Sequence, residues 1–157
     1  MTEEQQAVWF LGSLVQLRMG GAQTAGQLAV IHHVGARGFG SPRHRHLRAD
    51  ETFLVLEGEL SVELDGEFQP AGPGSAVFLP RQRSHAFVIT SPQARYLTVH
   101  TPADFDGLVL AAGSMVNPNC IAPPHDSVNT AELTRIARSY GIEILGPPPS
   151  LDDALGT

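Results

Sequence analysis

The chain has 157 residues, 42% hydrophobic and 17% charged, which is the composition of one soluble, folded domain with its own core. Its formal charge of −6 argues against binding to nucleic acid or to an anionic membrane surface, because both require a basic face. All ten basic residues are arginine, so Schiff-base chemistry and a phosphate-loop lysine are excluded.

The number of cysteines and the N-terminal residues indicate the cellular compartment in which the protein is expected. Cys120 is the only cysteine, which excludes an internal disulfide and a thiolate metal cluster. The first residues lack the basic segment of a signal peptide, and the apolar stretch 8–17 is too short to span a bilayer. We therefore expect a cytoplasmic protein.

The first hundred residues predict short β-strands. Residues 8–34 indicate two extended segments separated by Gly20 and Gly21, and residues 52–64 indicate two strands separated at Gly58. Asp65-Gly66 is a strong hairpin signal, and further strands are expected at 75–79, 85–90 and 96–101. Six or more short strands with frequent Gly and Pro favour an all-β sandwich or barrel.

The pattern changes after Pro102. Asn129 and Glu132 fit a capping box, apolar residues share one face of the next turns, and Gly141 supplies a stop, so one helix is expected at about 130–140. A Pro-rich tail around 147–149 follows. We expect a β-barrel domain over 1–110 and a C-terminal extension over 111–157.

Four side chains form a candidate metal site. His44 and His46 are separated by one residue, so in a strand they point to the same side about 6.6 Å apart. Glu51 can return on the next strand, and His85 can join them from a later one. Three nitrogens and one oxygen suit a divalent transition metal, namely Fe, Mn, Ni, Co or Cu, with positions left for water, dioxygen or substrate. Zinc fits less well, because it usually closes a site with four tetrahedral ligands.

The types and spacing of these residues resemble the motifs of a known family. Gly38, His44, His46, Glu51 and Gly58 match the first cupin motif at every defined position, and a second set matches three of the five positions of the second motif, namely Gly74, Pro80 and His85. Two positions depart from the second motif, since Gln82 stands for its glycine and Ile89 for its asparagine. The resemblance implies a cupin double-stranded β-helix, or jelly-roll barrel, with the metal inside.

Longer stretches are similar to bacterial quercetin dioxygenase-type cupins. They are the segment 9–14, the block around the first motif, residues 70–74 and the ending 141–148. This resemblance implies a protein that is often dimeric. Apolar residues on both faces of 52–64 also favour a covered outer face, so a homodimer is expected.

Strand alternation predicts which side chains line the barrel. Residues in register with Glu51 and His85, or at one parity of the last strand, give a substrate pocket of Phe53, Val55, Phe87, Ile89, Tyr96 and His100. Of the neighbours His32 and His33, only one can face inward, where it would support the site or act as an acid or base.

Three functions fit this site. The first is a metal-dependent dioxygenase of the quercetin type acting on a flavonol-like or other enolisable aromatic small molecule, with Glu51 as the catalytic base. The second uses the metal as a Lewis acid for cyclisation, isomerisation or dehydration in a natural-product pathway. The third is a non-catalytic module that binds a small molecule. Oxygen consumption separates the first two.

Overall fold

The computed structural model describes residues 6–117, 119 and 129–157, which form two antiparallel β-sheets and three helices. Cys120 and residues 1–5 lie outside the described residues. The strands are β1 (Ala7–Phe10), β2 (Ser13–Met19), β3 (Ala29–Ala36), β4 (Arg43–His46), β5 (Asp50–Glu57), β6 (Leu60–Leu64), β7 (Glu67–Ala71), β8 (Ala76–Leu79), β9 (His85–Ile89), β10 (Gln93–Thr101), β11 (Ser114–Met115) and β12 (Ile142–Gly146). The helices are α1 (Phe105–Ala112), α2 (Thr130–Ser139) and α3 (Leu151–Leu155).

The strands form a seven-stranded sheet in the order β11-β1-β2-β3-β10-β5-β8 and a five-stranded sheet in the order β12-β4-β9-β6-β7. Apolar side chains from both sheets pack together in a buried core cluster, which includes Phe53 and Val55 of β5 together with Leu60 and Val62 of β6. The predicted all-β jelly roll with a short C-terminal helix is confirmed.

Two tight turns set the hairpins. Asp65 and Gly66 both have positive φ, 49° and 86°, and join β6 to β7 as the sequence predicted. Leu11 and Gly12 have similar values, 53° and 90°, and join β1 to β2. The prediction of two extended segments over 8–34 is therefore wrong, because this second turn divides the first segment and gives three strands. A leucine in a left-handed conformation gives no turn signal in the sequence.

The C-terminal residues complete the barrel. The predicted helix is present as α2, and the Asn129 side chain accepts a hydrogen bond from the backbone N–H of Glu132 at 3.0 Å. β12 pairs with β4, so the second sheet ends on a strand from the extension. The division into a barrel over 1–110 and an extension over 111–157 stays a prediction.

Two helices were not predicted. α1 begins after Asp104, whose carboxylate accepts from the backbone N–H of Phe105. α3 lies in the expected Pro-rich tail and begins with a reciprocal capping box between Ser150 and Asp153. The usual capping box has Glu or Gln at the third helical position, whereas a shorter aspartate, Asp153, takes that role here.

The outer face of the seven-stranded sheet carries apolar side chains. Leu54, Leu56 and Phe78 are 37%, 43% and 58% exposed in the single chain. The homodimer that would cover them stays a prediction. Among the described residues, no helix is both long enough and apolar enough to cross a membrane.

Candidate metal centre

Three strands from both sheets bring the four predicted ligand residues together. His44 and His46 lie on β4, His85 lies opposite His44 in the paired strand β9, and Glu51 comes from β5 of the other sheet. One ligand atom from each of the four lies within 4.8 Å of the others. The cluster is buried except for His44, which is half-buried.

Glu51 is at the centre of the cluster. Its Oε2 lies 2.9 Å from His85 Nε2 and 3.1 Å from His46 Nε2. The buried Nε2 of His46 makes no well-aligned hydrogen bond among the described residues. A buried nitrogen without a hydrogen-bond partner is costly, and a metal ion would satisfy it. The donor set of three imidazoles and one carboxylate therefore fits a divalent metal.

Each of the three ligand histidines has a polar contact at Nδ1, the ring nitrogen that faces away from the cluster. His44 Nδ1–H donates to the carbonyl of Pro42 at 2.7 Å, and His46 Nδ1–H donates to Asp104 Oδ2 at 2.6 Å. His85 Nδ1 lies 3.3 Å from the carbonyl of Arg83. Such contacts fix the tautomer and the ring orientation, so each Nε2 faces the interior of the cluster with its lone pair.

The arginines between these histidines point away, as the strand alternation predicted. Arg43 pairs with Glu63 at 3.0 Å, and Arg45 pairs with Glu143 of β12 at 2.6 Å. Neither of these two guanidinium groups therefore competes with a cation at the four ligand atoms.

Electrostatics in the cluster favour a cation. Burial opposes charge on Glu51, but the nearby imidazoles of His100, His46 and His85 hold the pKa of Glu51 well below its usual range. Burial also disfavours protonation of His46, yet the hydrogen bond to Asp104 and the nearby carboxylate of Glu51 outweigh it and raise the pKa of His46 to about 10. Two carboxylates thus make this buried position attractive to positive charge, which a metal ion supplies.

The two departures from the second cupin motif leave the ligands in place. Gln82 has a φ of 68°, so it adopts the left-handed backbone that the family's glycine would allow. Its N–H donates to the carbonyl of His46 at 2.7 Å, which ties the turn to a ligand strand. Ile89 is fully buried in the core between the sheets.

A mostly apolar cavity opens beside the cluster. His44 and Glu51 contribute to its wall, as do three of the predicted pocket residues, namely Phe53, Phe87 and Tyr96. The cavity has a volume of about 60 Å³. Residues from the helices and from the ends of the sheets complete the wall, among them Phe105, Leu108, Leu133 and Ile142.

The other three predicted pocket residues are not part of this wall. Val55 and Ile89 lie in the core, because each is four residues farther along its strand than the ligand, or about 13 Å. His100 is fully buried beside the ligands instead, where its Nε2 bonds to Thr98 Oγ1 at 3.0 Å and lies 3.8 Å from Glu51 Oε1.

Sequence reasoning missed the role of Asp104. Its position before the apolar run 107–112 is an N-cap signal, but the contact with His46 spans 58 residues and follows only from the folded arrangement. His33 was one of two candidates for an inward histidine, and it is the one that lines the cavity.

Replacing Asp104 with asparagine should weaken metal binding by about 10- to 100-fold, because His46 loses the carboxylate that orients it. Competition with a chelating dye measures this affinity. Asp106→Asn is the matched control, since Asp106 accepts from the backbone N–H of Gly21 at 2.8 Å and makes no contact with the cluster. Equal affinities in the two variants would contradict the role of Asp104.

Comparisons with known proteins agree with this fold. Residues 30–100 match the model of the cupin domain. Quercetin 2,3-dioxygenase of Bacillus subtilis (strain 168) is 29% identical over 83 residues, which are 53% of this chain and 25% of that protein. The chain thus spans a quarter of the length of this curated relative.

Solved structures show the same architecture. KdgF from a Halomonas species superimposes with a TM-score of 0.58 at 23% identity, over 68% of this chain and 95% of that one. The polyketide cyclase RemF from Streptomyces resistomycificus gives 0.54 at 22% identity, over 64% and 76%. At these identities the likeness shows the fold. Together with the match of residues 30–100 to the cupin domain, it supports a cupin that resembles quercetin dioxygenase.

Proposed function

We propose that this protein is a metal-dependent dioxygenase that acts on an enolisable aromatic small molecule. The observation that carries the proposal is that the cluster of His44, His46, Glu51 and His85 adjoins a cavity lined by aromatic side chains, with His44 and Glu51 in the cavity wall. The similarity to quercetin 2,3-dioxygenase supports the same chemistry. The metal is one divalent transition ion, with Fe, Mn, Ni, Co and Cu fitting the donor set better than Zn.

When bound, the metal would supply a Lewis-acidic centre that orients substrate and dioxygen and moderates their charge. The three imidazoles hold that centre in a fixed place, because their Nδ1 atoms are anchored to the protein. Glu51 is the group that accepts the hydroxyl proton of the substrate, since its carboxylate reaches the cavity. Phe53, Phe87 and Tyr96 exclude water and contact the aromatic ring of the substrate.

The size of the cavity limits the substrate. About 60 Å³ is less than the volume of about 150 Å³ that accommodates benzene in an engineered protein cavity. An aromatic substrate therefore enters only if side chains at the cavity wall move, or if part of it projects from the cavity.

An oxygen electrode tests the proposal. Metal-loaded protein mixed with quercetin and with smaller enolisable aromatics should consume dioxygen in step with loss of substrate, and Glu51→Gln should lower the rate at least about 100-fold. The matched control is Glu57→Gln, because Glu57 is 65% exposed and pairs with Arg95 on the outer surface.

The same experiment separates the competing functions. Loss of substrate without oxygen uptake would assign the site to Lewis-acid cyclisation, isomerisation or dehydration. Tight binding without any turnover would assign it to a non-catalytic binding module.

A further inference from the structure

Buried polar side chains link the metal cluster to the cavity wall. Asp104 Oδ2 accepts from His46 Nδ1–H, and Asp104 Oδ1 lies 3.5 Å from His100 Nδ1. His100 Nε2 lies 3.0 Å from Thr98 Oγ1, and Thr98 Oγ1 lies 2.8 Å from His33 Nε2. His33 lines the cavity, so the series ends where a substrate would bind.

Hydrogen-bond chemistry gives this series a direction. Two carboxylates face His100: Asp104 Oδ1 lies 3.5 Å from Nδ1, and Glu51 Oε1 lies farther away, 3.8 Å from Nε2. A carboxylate attracts an N–H group, so the nitrogen that faces the nearer carboxylate, Nδ1, is the protonated one. His100 Nε2 is then unprotonated and accepts from the hydroxyl of Thr98. The same hydroxyl oxygen accepts from His33 Nε2–H, which leaves His33 Nδ1 without a proton. The opposite direction would turn an unprotonated nitrogen of His100 toward Asp104, the nearer of the two carboxylates, where the repulsion is greater.

The ring of His33 is held in place. It stacks on Tyr96 with ring centroids 4.8 Å apart and an interplanar angle of 4°, and on Phe105 at 6.2 Å and 22°. His33 is only 6% exposed, and its Nδ1 has no hydrogen-bond partner among the residues that the structure describes. Burial, followed by the effect of His100, lowers the pKa of His33 to about 3, so the ring is neutral at neutral pH.

We propose that His33 recognises a hydroxyl or N–H group of the substrate through Nδ1, and that Thr98 and His100 are positioning residues that fix this nitrogen as an acceptor. The inference rests on the proposed function, since it concerns a substrate in the same cavity. It narrows the substrate class to molecules that carry a hydrogen-bond donor in addition to the group that faces the metal. A buried acceptor of this kind discriminates against analogues that lack the donor, because it is then left unpaired.

The tautomer is the first test, and it needs no substrate. Two-bond proton–nitrogen NMR spectra of the full chain, with and without Zn²⁺ as a diamagnetic metal, distinguish Nε2–H from Nδ1–H. We expect His33 to carry its proton on Nε2, and we expect Thr98→Val to give a mixture of the two tautomers. A protonated Nδ1 in the wild-type protein would overturn the proposal.

A matched pair of small ligands is the second test. Phenol and toluene have nearly the same shape, so any movement of the cavity wall affects both equally, while hydrophobic transfer alone favours toluene. Calorimetry on the metal-loaded wild-type protein should show about tenfold tighter binding of phenol. His33→Phe keeps a ring that can stack on Tyr96 and removes the acceptor, so toluene should then bind at least as well as phenol.

His32→Phe is the matched control, because His32 is buried on the opposite side of β3, beside Arg95, and does not line the cavity. It should retain the preference for phenol. A preference for phenol that persists in His33→Phe would mean that the metal, and not His33, binds the hydroxyl group of phenol. This result would overturn the role of His33. Equal affinities in the wild type, or no binding of either ligand, would overturn it as well. None of these outcomes depends on oxygen uptake, so this proposal and the proposed dioxygenase activity fail separately.

Discussion

Protein purified with His44 replaced by alanine should contain less than about a tenth of the metal found in the wild type, which should carry close to one transition-metal ion per chain. Losing a direct ligand reduces affinity by more than the 10- to 100-fold expected for a supporting residue. His44 is the most exposed of the four ligands, so its removal disturbs the core least. Elemental analysis of both proteins measures the difference.

His32→Ala is the control for this substitution. His32 is also buried but makes no contact with the cluster, so the variant should keep its metal. Unfolding curves of both variants show whether the fold is retained. Equal metal content in the wild type and in His44→Ala would mean that these histidines form a hydrogen-bonded core and do not bind the ion.

The second large effect concerns a motif glycine. Gly58 has a φ of 78°, and a Cβ atom at this position would overlap the carbonyl oxygen of Gln93 and lie 2.7 Å from Ser91 Oγ. Gly58→Ala should lower the free energy of unfolding by about 3 kcal/mol or more, because backbone strain and steric overlap add. Urea denaturation followed by circular dichroism measures this loss.

Gly74 provides the matched comparison. It has nearly the same φ, 84°, but a Cβ atom there would meet no described atom within 4 Å. Gly74→Ala should therefore lower the free energy of unfolding by only about 1–2 kcal/mol, which is the effect of the left-handed conformation alone. Similar losses in the two variants would contradict the steric explanation for Gly58.

The sequence predicts the fold and the four-residue cluster for a physical reason. Ligand spacing in a strand has a period of two, so the shared direction of His44 and His46 follows from their positions alone. The Asp65-Gly66 turn likewise has local chemistry that needs no tertiary contact. The residues that such reasoning places correctly are those whose geometry is set within a few positions of the chain.

Local sequence patterns do not predict contacts between residues that are far apart in the chain. The bond between Asp104 and His46 and the stack of His33 on Tyr96 join segments 58 and 63 residues apart, and neither has a signature in the nearby sequence. The depth of a side chain in the barrel is also a tertiary property. Alternation correctly gives Val55 and Ile89 an inward direction, but it does not say how far along the strand the cavity ends.

The pairing of β12 with β4 has a consequence for protein synthesis. β4 carries His44 and His46, and one of its two edges is covered only by residues 142–146. A nascent chain that has not yet reached Ile142 therefore has an open hydrogen-bonding edge at the ligand strand. The strand that presents two imidazoles is therefore covered at this edge only after residues 142–146 have been synthesised, well after the last of the four ligand residues, His85.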